Sequence, residues 1–587
     1  MAQLDWKPRN QSIIEILPEE IVDFENQVKK FQAGEFDETE FQAFRLKQGI
    51  YGQRQPESQM VRVKVPFGGL TADQMDALGE AASKYAPLNK GHVTTRENVQ
   101  YHHIKLEDSA DFMRIVGNEG LSTREACGNT VRNVTGCPLA GVCSDEPFDV
   151  TPYAAAYSRY FVRHPYTQAL PRKWKTAFSG CEKDCAITAI HDMGFIPKIK
   201  NGEKGFQILI GGGTSIMPRS ADTLYEFVSV NEYLKVTEAS IRVFHRSDEL
   251  RKNRMKARIK FLINRIGIDE FRVMVEDELK EEWAQKSFDP TPLLFIEDEE
   301  KDAPIQSEDK YSSPEESEEF KHWIATNVQA QKQDGYKVVH IKLPLGDIQS
   351  EQWHELANMA RKYGGGRSRI THQQNMAFRW VPEAALFEVW QKLNNLGLGK
   401  SGVHEITDVV SCPGTDSCKL GITSSMGLGR AMRSTIEEMN ITDPLTKQIH
   451  VKMSGCPNGC GQHHIADIGF HGAATKAPGG QVPAYELFLG GSYHEGDSRL
   501  GLRVKGRIPA KRTPDALRNI IGYYEQNRLD DELFKDFVVR VTPKAFEPLI
   551  EDLKETRELN RDSIEAYMDW DKTIIYKMER GEGECAV

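Results

Sequence analysis

No stretch of this 587-residue chain approaches the ~18 consecutive apolar residues that a membrane span needs, and its mean hydropathy is −0.52. The opening segment, MAQLDWKPRNQSII, has no basic n-region, no apolar core and no small-residue cleavage site, so a cytoplasmic location with no membrane partner is expected. A G-x-G-x-x-G between a strand and a helix is also missing, which removes the usual loop for a bound dinucleotide. Positive charge is the scarcer sign: 75 Lys and Arg face 86 Asp and Glu, a net −11. Positions 297–319 alone hold eleven acids and two lysines, and their low apolar content reads as a solvated linker or mobile loop. The remainder is close to neutral, so no nucleic-acid partner is expected.

What is present is cysteine, in pairs. Ten cysteines in a reducing compartment read as metal ligands before disulfides. Cys412 and Cys418 stand in CPGTDSC, and Cys456 and Cys460 in SGCPNGC. Four thiolates delivered as C-x5-C and C-x3-C can surround a [4Fe–4S] cube, one per iron corner. Zinc also accepts four cysteines, but its ligand loops usually hold two to four residues between ligands. Unrelated buried thiols are the third reading, and spacing alone leaves all three open. The fold must bring the two pairs together, because 38 positions separate Cys418 from Cys456.

The chain repeats itself. Met60–Pro66 and Val338–Pro344 alternate like strands, with Pro66 matching Pro344 at an offset of 278. The helices that follow match apolar for apolar: Met75, Leu78, Ala82 and Tyr85 against Trp353, Leu356, Ala360 and Tyr363, one helical face in each copy. Thr71 and Gln74 supply a capping box, and the Thr-bearing strand segments TTRENVQYHHI and THQQNMAFRWV close each unit. Farther on, Cys137, Cys143, Cys181 and Cys185 lie 275 positions before Cys412, Cys418, Cys456 and Cys460. The predicted fold is therefore α+β: an internal duplication of a small α+β module plus a larger cysteine-bearing module, in a pseudo-twofold arrangement.

The string Ser454-Gly455-Cys456-x3-Cys460-x6-Asp467-Ile468-Gly469-Phe470 resembles the siroheme and [4Fe–4S] signature of the nitrite and sulfite reductase family, and SGCEKDCAITAIHDMGF matches it in the first half. The likeness spans roughly positions 50–545. It implies ferredoxin-like half-domains at 59–107 and 336–395, and siroheme/Fe–S modules at 118–283 and 402–545. An N-terminal extension (1–58), an acidic linker (284–335) and a C-terminal tail (546–587) complete the expected division. It also implies that Cys412, Cys418, Cys456 and Cys460 hold the [4Fe–4S] cluster, with Cys460 also ligating the siroheme iron. Tight PNG turns suit a loop that brings backbone close to an inorganic cube.

Sulfite and nitrite are small oxyanions, and preorganised cations hold and protonate such groups. The family pattern offers four, all matched in the first half: Arg96 in TTREN, Arg132 in VRNV, and Lys173 and Lys175 in LPRKWK. Their second-half counterparts, Gln373, Thr407, Gln448 and His450, carry no fixed positive charge. By pseudosymmetry the first-half cations should face the second-half cluster. The two lysines alternate about Trp174, which on a strand puts them on one face. K-x-K here resembles sulfite reductases, and a second ammonium suits a dianion; RLKQGIYGQR and MVRVKVP resemble ferredoxin–nitrite reductases. The resulting expectation is six-electron reduction of sulfite to sulfide with electrons from ferredoxin or another external donor. Nitrite to ammonia on the same machinery is the alternative, and a non-catalytic electron carrier is the reading of another class.

Several features complete the reading. A single helix is expected through LRKNRMKARIKFL, with Arg254 and Arg258 one turn apart to bind siroheme carboxylates or dock an acidic donor, and with Met255 and Ile259 on the buried face. Gly211–Gly213 and Gly490–Gly491 are either N–H donors to carboxylates or plain turns. His102, His103, His463 and His464 are read as packing or hydrogen-bonding groups, and Cys585 as an exposed thiol. The first-half cysteines either hold a second [4Fe–4S] cluster or persist as small buried hydrophobes.

Overall fold

A computed structural model describes residues 12–307, 311, 317–494, 496–581 and 583–584; Cys585 lies outside the described residues. The small modules each form an antiparallel sheet. In the first half these are β1 (Ile50–Gly52), β2 (Ser58–Lys64), β3 (Gly69–Thr71), β4 (Lys90–Val93) and β5 (Asn98–Lys105). The helix Ala72–Tyr85 begins at the expected capping box, where Thr71 Oγ1 accepts from the Gln74 amide at 3.2 Å and Gln74 Oε1 from the Thr71 amide at 3.0 Å.

The larger module of the first half carries β6 (Val131–Gly136), β7 (Trp174–Phe178), β8 (Met193–Lys200), β9 (Glu203–Ile210) and β10 (Asp222–Ser229). The second half repeats both units, with β11 (Val328–Ala330), β12 (Tyr336–Ile341), β13 (Asp347–Gln349), β14 (Arg367–Ile370) and β15 (Met376–Pro382), then β16 (Val410–Ser411), β17 (Val451–Ser454), β18 (Ile468–Ala477) and β19 (Gly480–Leu489). In each large module two parallel pairings, β6–β7–β8 and β16–β17–β18, put the cysteine loops at one end of the sheet.

Each small sheet is finished by a strand from the other half. The orders are β1-β2-β5-β4-β13 and β11-β12-β15-β14-β3. Asp347 pairs with His92 and Arg367 with Thr71. The turn into each exchanged strand is too tight for a side chain: a Cβ on Gly68 (φ +70°) would lie 2.1 Å from the Ile370 carbonyl oxygen, and one on Gly346 (φ +79°) 2.5 Å from that of Val93. The helices Ala72–Tyr85 and Ser350–Tyr363 pack together, and Met75, Leu78, Trp353 and Leu356 share one core with Val61, Tyr101, Ile341 and Phe378. The two large modules keep separate cores, around Trp174, Phe178 and Phe195 in one and Met453, Phe470 and Tyr485 in the other.

One expectation fails here, and one holds only in part. LRKNRMKARIKFL is not one helix: Asp248–Arg251 is followed by a 3-10 turn at Arg254–Lys256 and a new helix at Ile259–Ile266. The Asn253 side chain accepts from the Met255 amide at 3.0 Å, a local bond that competes with helix continuation. Met255, expected inside, is 66% exposed. The expected acidic linker, 284–335, is partly structured among its described residues. It supplies the helix Glu318–Asn327 and the edge strand β11. Three of its acids are engaged: Glu297 pairs with Arg367 at 3.3 Å, Asp302 with Arg367 at 2.9 Å, and Glu299 with Arg369 (3.2 Å), Arg379 and the Trp380 indole N–H (3.0 Å), while Asp298, Glu300, Glu318 and Glu319 are exposed. Burial pushes the Glu299 carboxyl up, but Arg379 and Arg369 outweigh it and hold the pKa below the usual range. These three acids look solvated in sequence because their partners lie some 70 positions away.

Removing one partner of such a pair leaves an uncompensated buried charge, a loss of roughly 3 kcal/mol. Glu299→Ala should therefore lower the thermal unfolding temperature and open 297–307 to limited proteolysis. An unchanged Tm and an unchanged digestion pattern would show that the strap is not anchored through this carboxylate.

Candidate active site

The second-half cysteines stand on the loops that leave β16 and β17. Gly455 lets these loops interleave: its Cβ would meet Gly414 Cα at 2.6 Å. The Gly455 amide donates to Cys412 Sγ at 3.3 Å, and Ser425 Oγ lies 3.4 Å from the same sulfur. Burial, with Cys460 close by, pushes Cys412 and Cys456 up and Cys418 to about 12. All four sulfurs thus share one neighbourhood, in which only a cationic centre would let every thiol ionise. Cys460 is the one exposed thiol among the described cysteines.

The outer wall of this loop comes from far away. Arg54 donates to the Gly421 carbonyl (2.6 Å), and its own amide to that of Ser417 (3.0 Å). The C-terminal tail closes over it through Tyr576 to Ile422 (3.0 Å), the Gly581 amide to Lys419 (3.0 Å), and Glu584, which pairs with Lys419 (2.8 Å) and is held in a buried bidentate pair by Arg45.

Against Cys460 stands the first half. Thr95 Oγ1 donates to the Cys460 carbonyl at 2.7 Å, Gln462 reaches back to the Thr95 carbonyl at 3.4 Å, and a Cβ on Gly459 would lie 3.1 Å from Thr214 Cβ. Next to Thr95, Arg96 is half-buried with its guanidinium on the Asn133 and Thr176 carbonyls. Burial lowers its pKa to about 10, while Glu97 and Asp192 resist and Arg132 and Arg258 add to the fall. On β7, Trp174 is fully buried and Lys175 partly so. Burial, then the cations Arg258, Lys173 and Arg96, push the Lys175 ammonium well below its usual range, and Cys460 opposes them. Lys175 therefore lies within electrostatic reach of Cys460, Lys173 and Arg96, and Arg96 in turn within reach of Arg132.

Asp192, which the motif search passed over, organises this pocket. Its carboxylate takes Arg258 Nε at 2.7 Å and the Lys175 amide at 2.8 Å. The signal was available, since Asp192 and Asp467 each lie seven positions after the last cysteine of a C-x3-C pair, and Asp467 takes the His450 amide at 2.9 Å. Arg258 is thus brought to the pocket, whereas Arg254 sits on an exposed turn. Lys260 spends its ammonium on the carbonyls of Gly213, Thr214, Ile216 and Met217, and burial lowers it to about 7. The amides of Gly211, Gly213, Gly490 and Gly491 bond to Asp192, Arg219, Asp467 and Ala466 carbonyls, as turns do. His102 and His463 hydrogen-bond to Gln53 and Ser454, and His463 stacks on His464 at 3.8 Å.

The equivalent second-half pocket is not free of cations, as its four matched positions suggested. Gln448 faces out, and Thr407 accepts from Lys342 at 2.6 Å. Two residues along from His450, Lys452 points to the same side of β17, 3.0 Å from Gln462 Oε1 and 4.4 Å above the Tyr493 ring. Burial lowers Lys452 to about 7. A lysine displaced by two positions keeps the face but escapes a residue-by-residue match.

The arrangement can therefore hold a cluster on one side and a polyanion on the other. A family model described as the nitrite and sulphite reductase 4Fe-4S domain matches residues 127–283 and 402–557, and one described as the nitrite/sulfite reductase ferredoxin-like half domain matches 51–118 and 329–396. The chain belongs to the nitrite and sulfite reductase family. Membership makes it an oxidoreductase that uses siroheme and a [4Fe–4S] cluster. The residues present fit both groups: an exposed Cys460 among otherwise sheltered thiols, and buried cations for a tetrapyrrole with eight carboxylates. The chloroplastic ferredoxin–nitrite reductase of Spinacia oleracea is 30% identical over 462 residues (77% of this chain, 73% of that protein). The sulfite reductase [ferredoxin] of Mycobacterium tuberculosis strain H37Rv is 30% identical over 488 residues (82% of each). The solved structure of Mycobacterium tuberculosis NirA superposes with a TM-score of 0.74 at 26% identity, covering 92% of this chain and 98% of that one.

Beside Arg96, Glu97 is fully buried, accepts from the Gly136 amide at 3.0 Å, and is raised by burial to about 8. A raised folded pKa means that the folded state holds a proton which the unfolded state releases above about 4.5, so stability falls as pH climbs from there to about 8. Glu97→Gln should flatten that loss. Between pH 5 and 8 the wild-type Tm should drop relative to the variant by on the order of 5 °C; parallel curves would show that Glu97 is ionised in the folded state.

Proposed function

We propose that this enzyme reduces sulfite to sulfide, taking six electrons one at a time from ferredoxin. The nearness of Lys175 to Cys460, with Lys173 and Arg96 beside that lysine, supports the reading. When bound, siroheme supplies an iron that accepts the substrate and passes it electrons. Cys412, Cys418, Cys456 and Cys460 would hold the cluster, and Cys460 would also reach the siroheme iron. Arg258, fixed by Asp192, would face the tetrapyrrole's carboxylates. Arg96, Arg132, Lys173 and Lys175 would neutralise the oxyanion and deliver protons as each oxygen leaves as water. The depressed Lys175 pKa suits that task, because an arriving anion raises it and draws a proton to the place where one is consumed.

The exposed Arg254 supports docking of an acidic donor rather than carboxylate binding. Ferredoxin is the donor that the relatives' names specify, for nitrite in one case and sulfite in the other. Two lysines flanking Trp174 favour the dianion, and nitrite reduction to ammonia is the second reading. Reduced thiols and the absence of a membrane-spanning helix among the described residues are compatible with a cytoplasmic enzyme.

Lys175→Asn should lower kcat/KM for sulfite by about 30- to 1000-fold, and by less for nitrite, when both are assayed with one artificial reductant. Equal losses would remove the ground for preferring sulfite. Cys460→Ser should disrupt siroheme binding as well as the cluster it shares with Cys412, Cys418 and Cys456, whereas Cys412→Ser should chiefly damage that cluster. A Cys460→Ser enzyme with normal haem absorption and normal turnover would overturn the assignment of the bridging thiolate.

A further inference from the structure

The first half also gathers its four thiols. Cys185 lies close to both Cys137 and Cys181, and Cys181 within electrostatic reach of Cys143. The backbone supplies donors to this sulfur too: the Gly180 amide reaches Cys185 Sγ at 3.3 Å, and Ser179 Oγ lies 3.4 Å from it. Among the described residues no group of three or more His, Cys, Asp or Glu is gathered tightly enough to hold a single metal ion, the two quartets included. A cube instead spreads its ligands over four corners.

The bracing is also duplicated, and it crosses between the halves. Arg54 and Gln55 hold the loop of Cys412–Cys418 through the Ser417 and Asp416 carbonyls, at 3.0 and 2.8 Å. Lys332 and Gln333, each 278 positions later, hold the loop of Cys137–Cys143 through the Val142 and Gly141 carbonyls, at 2.8 and 3.4 Å. Gln53 and Gln331 each orient the neighbouring glutamine, at 3.1 and 2.9 Å. Lys332 adds a 2.6 Å pair to Glu146, and Arg379 a 2.5 Å bond to the Ala140 carbonyl. Four buried hydrophobes would need only packing. Here the loop is positioned by directed bonds from the opposite half, as a ligand loop must be.

The two quartets differ in one respect. Cys460 is exposed toward the cation pocket, whereas Cys185 is turned inward onto Gly180 and Ser179. We propose that Cys137, Cys143, Cys181 and Cys185 bind a second [4Fe–4S] cluster that has no siroheme attached. This goes beyond the catalytic reading and does not depend on which oxyanion is reduced.

The test is metal and sulfide analysis of anaerobically purified holoenzyme. About eight non-haem irons and about eight labile sulfides per chain, with about one siroheme, are expected. About four of each would overturn the proposal, as would a second siroheme for its latter part. The double variant Cys181→Ser/Cys185→Ser should lose half of the non-haem iron while the siroheme absorption stays. Cys456→Ser should lose the other half and retain a cluster EPR signal after reduction. If either variant fails to fold, the wild-type count decides alone.

Discussion

The pairing of β3 with β14, and of β13 with β4, ties each half of the chain to the other, and the place of every cation relative to Cys460 follows from it. Without the exchange, the Thr94–Glu97 turn would have no fixed relation to the second-half loop. With it, Thr95 sits on the Cys460 carbonyl and Arg96 is carried into the pocket. A duplication arranged in this way needs no further device to make one half serve the other.

Within the pocket the difficulty is like charge. Arg96, Arg132, Lys173, Lys175 and Arg258 crowd a space from which water is largely removed, and each depresses its neighbours. Asp192 is the counterweight that pins Arg258 and the Lys175 backbone. Arg96 turns its guanidinium to the Asn133 and Thr176 carbonyls. The second pocket resolves the same problem with fewer cations, and Asp467 holds His450 where Asp192 holds Lys175.

Much of this was legible in the sequence wherever a local period or a fixed spacing carries the information. The helix faces at Met75 and Trp353, the capping box at Thr71 and the repeat of eight cysteines all follow from residue order. What escaped depends on distant partners. No local pattern announces that β3 will leave its own sheet or that Glu299 will meet Arg379. Asp192 and Lys452 escaped for a different reason: a search guided by cations at matched positions does not look for the carboxylate between them or for a lysine shifted along a strand.

The clasp of Arg45 on Glu584 joins residues 539 positions apart, among the most costly loops to close that a chain of this length contains. Contacts of that span form late, after nearer ones have paid for the collapse. The far end of the described chain thus roofs the loop that carries Cys418, through Glu584 on Lys419 and Tyr576 on the Ile422 carbonyl, so a ligand loop in the middle of the sequence takes its outer wall from both ends of it.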